Sequence, residues 1–285
     1  GMSLAQLAQS TLVHQVRLIG AGAIGVSAVW TLAKLVKPVA AGLRTALAAS
    51  KARASGGGAL LPRTEQDIPI GWVALISLVC MVPIGILLTN LGVSSGLGGQ
   101  LLLVVTGAVI YIVLMGFFVS AVCGYMAGLI GASNSPLSGI GILAVIGAAL
   151  LLLLGVRTMP AGGTQALVAY ALFVTAVVFA VATIANNNLQ DLKTGQLVDA
   201  TPWKQQVALV IGVVAGAAII PPILDLVNHA YGFAGAPGPM RPHPLPAPQA
   251  GLISALAQGV IQNNIDWKLL RIGMWIGVAT IVVDE

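Results

Sequence analysis

The chain has 285 residues, of which 58% are hydrophobic and 7% charged, with a mean hydropathy of +0.98. A soluble domain carries about 25% charged residues, so a soluble globular fold is excluded for want of polar side chains to cover its surface. The net charge is +5, and six of the 13 basic residues, Lys34, Lys37, Arg44, Lys51, Arg53 and Arg63, lie in one stretch between two apolar runs. That placement reads as a topology-setting loop, not as a nucleic-acid surface.

The first apolar run is Leu18 to Leu35, closed by Lys37 and Pro38. An Ala-rich stretch with spaced cations follows, Val39 to Arg53, and reads as an interfacial helix within a cytoplasmic loop over 36–69. The second run, Ile70 to Asn90, is expected to kink at Pro83. From residue 68 to residue 156 there is no charged side chain at all. One crossing of the hydrocarbon core needs about 20 apolar residues, so that interval holds three crossings, or four at most. The third run is Leu101 to Ile130, and the fourth is Ile140 to Val156. Between them Gly131-Ala-Ser-Asn-Ser-Pro136 breaks the helix with polar groups. Lipid cannot satisfy a broken backbone, so such a break either lines a wet cavity or is a turn at the interface.

The fifth run is Ala166 to Ile184, followed by a polar cytoplasmic segment over 186–205. The sixth is Val207 to Val227, expected to break at Pro221 and Pro222. A Pro-rich external loop covers 229–248, and a last run begins near Leu269. Placing the basic 36–69 loop inside puts Lys193 and Lys204 inside and the Pro-rich loop outside, so the assignments agree. The fold class is therefore all-α: a polytopic membrane protein of about seven transmembrane helices with broken or re-entrant segments.

Gly20-Ala-Gly-Ala-Ile-Gly25 spells a dinucleotide-binding GxGxxG. No acidic residue follows at the required distance, and the glycines sit inside an apolar run. The reading is close helix packing through Ala21 and Gly25. Cys80 and Cys123 lie in apolar runs without metal or disulfide spacing and read as small buried hydrophobes. No catalytic constellation and no nucleotide loop appears, so no enzyme activity, cofactor or metal site is expected. Asp225 and His229 share a helix face. Asp225, three residues past the two prolines, is a candidate proton site; the plainer reading is a polar helix end.

Several blocks resemble the oligopeptide transporter (OPT) family, most nearly its bacterial branch. They are Gln190-Asp-Leu-Lys-Thr-Gly195, Ala200-Thr-Pro-Trp-Lys-Gln-Gln206, Ile220-Pro-Pro222, Ser133-Asn-Ser-Pro136 with Ser138-Gly139, Ala230-Tyr-Gly232, Ala247-Pro-Gln-Ala250, and Asp67-Ile-Pro69 leading into Trp72. The resemblance implies a proton-coupled secondary transporter of small peptides, or of peptide-like or siderophore-like metal chelates, multi-pass in the inner membrane. Family members are about twice this length, so the expectation is the later part, residues 1–285, of such a transporter. Its partners would be the substrate, protons, membrane lipid and an N-terminal half, with no nucleic acid. In that frame Asn134, Ser135 and Pro136 offer polar groups to a cavity, and Asp191 and Lys193 sit at the cytoplasmic mouth, pairing when the gate closes. Pro221 and Pro222 form a hinge, Asp225 takes the proton and Gln249 lines the other face. Asp191 and Lys193 also read as a loop residue and a topology charge. The alternative function is a membrane-embedded structural or assembly subunit. Asp199 departs from the family pattern, standing where a small residue is expected.

Overall fold

The computed structural model describes residues 3–54, 62–158, 160, 162–234 and 244–284. Among them are nine α-helices and no strand beyond a single bridge between Phe233 and Leu245. The helices are α1 (Leu4–Thr11), α2 (Arg17–Ala54), α3 (Ile70–Ser94), α4 (Leu101–Ile130), α5 (Leu137–Gly155), α6 (Gly163–Leu197), α7 (Pro202–Ala230), α8 (Pro248–Ile261) and α9 (Trp267–Asp284). Six of them, α2 to α7, are long and apolar enough to cross a membrane. The protein is an all-α polytopic membrane protein. The seventh apolar run is α9, with 18 residues and the charges Lys268, Arg271 and Asp284.

Several boundaries differ from those the sequence suggests. The first run does not stop at Lys37-Pro38: α2 continues for 38 residues, with Pro38 inside it. At 1.5 Å per residue it is about 57 Å long, so its Ala-rich second half extends the spanning helix instead of forming a separate element. Ala, Leu, Lys and Arg are strong helix formers, and they carry the helix past a single missing N–H. Helix α6 likewise runs to Leu197, well past the apolar run. Helix α7 stays continuous through Pro221 and Pro222. The two prolines deprive the carbonyls of Ala217 and Ala218 of their usual donors. Small residues through 215–218 leave room for the rings, and no break results.

Helices α4, α5 and α6 form the centre. On α4 and α6, a Cβ at Gly116 would meet Val181 and one at Gly124 would meet Leu189. The eight-residue step is equal on both helices, so they run parallel. Helix α5 returns antiparallel alongside them: Gly107 faces Leu151, Gly155 faces Val104, and the Tyr111 hydroxyl donates to Ala144 O at 2.8 Å. At the end where α5 stops, Gln100 holds the α5–α6 turn. Its Nε2 donates to Thr158 O (2.9 Å) and Oγ1 (2.7 Å), and its Oε1 accepts from the amides of Arg157 and Thr158. All four polar valences of the amide are used.

The GxGxxG run is a packing surface, as read. Its main partner is α9, and the residue that matters most is Gly22 rather than the expected pair. A Cβ at Gly22 would collide with Leu270 O, one at Gly273 with Ile19 O, and one at Gly277 would lie 2.8 Å from Ala23 O. Residues 19 and 23 thus face 273 and 277, so α2 and α9 are parallel and touch backbone to backbone, as small residues permit. Ala21 is buried, and Gly25 meets α5 loosely at Ile142. Of the cysteines, Cys123 is buried as expected but Cys80 is exposed on α3, whose contact with the core begins at Met81 and buries only Leu88 and Gly92.

Candidate functional site

The helix break is real and its geometry is set by a glycine. Helix α4 ends with the amide of Gly131 on Ala127 O (3.0 Å), and Gly131 adopts φ 88°, ψ 162°. That region is essentially open to glycine alone. A single 3-10 turn, Ala132–Asn134, follows, then extended Ser135, then Pro136 as the lead into α5. The chain turns back toward the bundle instead of leaving it.

What holds it there is Asn186, on α6 and 3% exposed. Its Nδ2 donates to Ala132 O at 3.1 Å, and its Oδ1 accepts from the Ser135 hydroxyl. One amide therefore satisfies both a freed backbone carbonyl and a break hydroxyl. The backbone freed by the break is thus satisfied by protein, as a helix break requires wherever lipid replaces water. Both α2 and α6 continue past this depth, to Ala54 and Leu197, so the break is recessed among helices that overrun it. Sequence reading counted Asn186 as the first residue of a cytoplasmic segment. The available signal was a run of three asparagines (186–188) directly after an apolar stretch, on a helix that had not yet met a breaker.

Beside the break lies a cleft of about 320 Å³, lined by Ser27 and Thr31 of α2 and by Ser135, Pro136, Ser138 and Gly139. Gly139 is required here: a Cβ would lie 2.5 Å from that of Ala28 and 3.3 Å from Ile24 O. The cleft gathers four hydroxyl-bearing side chains in an otherwise apolar bundle. Such groups suit a neutral polar ligand such as a peptide backbone, whose amides and carbonyls each need a partner. The position of Asn134 is at this break; its side chain lies outside the described residues.

The remaining candidates are elsewhere. Asp191 and Lys193 are exposed on the overhanging end of α6. Two positions apart on a helix, they point to different faces, and Lys193 donates to Gln196 Oε1 at 3.1 Å. Pro221, Pro222 and Asp225 lie on exposed stretches of α7, which packs chiefly against α6. The shared face of Asp225 and His229 is borne out: His229 Nδ1 lies 2.8 Å from Asp225 O and 3.3 Å from Asp225 Oδ1, with both side chains more than 70% exposed. Gln249 is exposed in the first turn of α8. None of these joins the cleft.

Two of the sequence blocks do meet, at the α6–α7 corner. The amides of Ala200 and Asp199 donate to Gly195 O (2.8 Å) and Gln196 O (3.4 Å). With Asp199 at φ 56°, this is the six-to-one and five-to-two pattern that ends a helix on a left-handed residue. Glycine is the usual occupant of that position, which explains why an aspartate there departs from the pattern. Gly195 itself leaves room for the Gln205 side chain, which a Cβ would strike. From outside the corner, Arg63 Nε donates to Asp199 O (2.8 Å) and the Trp203 amide donates to Gln66 O (3.2 Å).

Comparison with known proteins agrees with these blocks. A family model described as "OPT oligopeptide transporter protein" matches residues 3–285. A curated protein of Haemophilus influenzae, described as "Putative oligopeptide transporter", is 42% identical over 296 residues, covering 99% of this chain. The chain spans 45% of that relative's length. No solved structure matches.

Proposed function

The chain belongs to the OPT oligopeptide transporter family, and from that premise we propose that it forms part of a secondary active, proton-coupled transporter. Its substrates are small peptides or peptide-like and siderophore-like metal chelates, and its place is a bacterial inner membrane. The observation that carries this reading is the recessed break: a helix interruption fixed by buried Asn186 and opening onto a hydroxyl-lined cleft. Secondary transporters place substrate at interrupted helices of this kind.

In this reading Ser27, Thr31, Ser135 and Ser138 replace the water that a peptide's amide groups shed on entering the membrane, and Asn134 belongs to the same pathway. The basic second half of α2, the end of α6 with Asp191 and Lys193, and the α6–α7 corner face the cytoplasm. The Pro-rich loop faces outward. Helix α7 supplies the moving part. Pro221 and Pro222 remove two hydrogen bonds from its ladder, and few packed neighbours restrain it. Asp225 lies one turn beyond them and takes the proton, with His229 beside it; Gln249 faces the path from α8. The exposed flank of α7 is where the remainder of the transporter packs.

The test is uptake into proteoliposomes holding the full-length transporter. Labelled tripeptide and an iron–siderophore chelate are offered with and without an inward proton gradient. The reading expects accumulation of one or both above equilibrium with the gradient only. Equilibration at the same rate and level without a gradient removes proton coupling, and no uptake of either substrate removes the transporter reading.

A further inference from the structure

A second polar cleft, of about 310 Å³, lies between α2, α8 and the α8–α9 turn. It is separate from the break and contains none of the residues considered so far. Arg17, the first residue of α2, and Asp266, immediately before α9, both line it, as does Asn264 on the α8–α9 turn. The Asp266 carboxylate caps α9: its Oδ1 accepts from the amides of Lys268 (3.0 Å) and Leu269 (3.2 Å). No ion pair joins it to Arg17, and among the described residues the guanidinium of Arg17, a half-buried residue, has no hydrogen-bond partner. A guanidinium carries five donors in a planar fork. The nitrogens of Arg17 reach solvent, since none is among the buried unpartnered polar atoms, so an arriving acceptor can engage the fork without displacing an internal bond.

One wall of the cleft is made of small residues of α8: Gly251 and Ala255 are exposed, and Gly259 is buried against Ile265. Gly251, Ala255 and Gly259 recur on one face of α8 toward Arg17. At exposed Gly251 a Cβ would meet nothing within 4 Å, so the wall is open on that side. The volume is at the low end for small-molecule sites, suited to a short molecule or to one end of a longer one. A cation and an anion at separate points on one small cleft are complementary to a zwitterion.

We propose that this cleft is a recognition subsite for a short zwitterionic peptide. The peptide's carboxylate pairs with the Arg17 fork, and its ammonium lies toward the free oxygen of Asp266. The proposal rests on the peptide-transport reading and deepens it: the end of the bundle where α2 and α9 begin is the external one under that topology, so the subsite meets substrate before the break does. A guanidinium–carboxylate pair is directional and bidentate, and the neighbouring Asp266 disfavours simple anions, so free termini at both ends are selected.

Binding of trialanine, its C-terminal amide and its N-acetyl form to the full-length transporter tests this. Wild type is expected to prefer trialanine to the amide by at least tenfold. Arg17→Gln is expected to lose that preference by weakening trialanine alone. Arg17→Lys keeps the charge but not the fork, and retains only part of the preference. Asp266→Asn preserves the helix cap, since asparagine caps as well as aspartate, and is expected to erase discrimination against the N-acetyl form. Gly251→Val adds side-chain volume to the cleft wall, where a Cβ meets nothing within 4 Å, and is expected to weaken all three. If Arg17→Gln does not fold, an Arg17→Lys protein with an undiminished acid-to-amide ratio still overturns the proposal. So does an Arg17→Gln protein that keeps the wild-type ratio. An unchanged ratio together with loss of co-purified anionic lipid overturns it in favour of a lipid headgroup. Wild type that binds none of the three peptides overturns the peptide reading itself.

Discussion

Asn186 ties the break to α6 through two side-chain hydrogen bonds, and its contribution can be measured. The perturbation is a cycle of Ser135→Ala, Asn186→Ala and the double variant in the full-length transporter. Asn186 makes two hydrogen bonds to the break, one to the Ser135 hydroxyl and one to Ala132 O. Side-chain hydrogen bonds within membrane bundles contribute about 0.6 kcal/mol on average and about 1.7 at most. Losing both therefore costs about 1–3 kcal/mol. Ser135→Ala removes one of them and leaves Asn186 Oδ1 buried, for about 0.6–2 kcal/mol. Because the two residues share a bond, their effects fall short of additivity by about 0.6–1.7 kcal/mol. The assay is reversible unfolding in mixed micelles, followed by tryptophan fluorescence. Asn186→Asp is the informative control: it keeps an acceptor for Ser135 but turns a carboxylate oxygen toward Ala132 O, so it should destabilise at least as much as alanine. Additivity within about 0.3 kcal/mol refutes the claim that this pair fixes the break.

Other substitutions separate packing from mechanism. Gly22→Ala and Gly273→Ala each drive a Cβ into a backbone carbonyl of the facing helix and should lower stability by about 1–3 kcal/mol. Gly20→Ala, with nothing within 4 Å, should be neutral or slightly stabilising; thermal unfolding ranks the three. Asp199→Gly relieves the left-handed strain of an L-residue at φ 56° and should gain about 1 kcal/mol, read in the same assay. Asp225→Asn should abolish gradient-driven uptake while expression stays intact, and normal uptake by that variant removes Asp225 from the mechanism. Replacing Pro221 and Pro222 together by alanine restores two donors to α7, so stability should hold or rise while the uptake rate falls; an unchanged rate removes the hinge.

The class of fold was legible because a bilayer imposes it: a chain with an 89-residue interval free of charge (68–156) has few alternatives to packed spanning helices. The break was legible for the same reason, since Gly131 to Pro136 contains the residues that stop helices. Less legible was anything decided by a partner. Nothing local shows that α6 continues past Asn186, or that an amide there reaches back 51 residues to Ser135. The prolines of α7 misled as helix breakers because their effect depends on the neighbours at the preceding turn, which are small. The GxGxxG run was correctly read as packing, but its partner helix, some 250 residues later in the chain, had to be seen before Gly22 could be singled out. Arg17 and Asp266 were invisible as a pair because only the parallel docking of α2 on α9 brings them to one cleft.

The central claim is that the recessed break lies on the substrate path, and cysteine accessibility tests it most directly. In the full-length transporter, Cys80 and Cys123 are replaced by serine and alanine, and a single cysteine is placed at Thr31 or Ser138. A small water-borne thiol reagent is then applied with and without tripeptide. The account predicts that both positions are modified, that modification stops uptake, and that tripeptide slows it. Modification that leaves uptake at its original rate, or that peptide does nothing to slow, would contradict it.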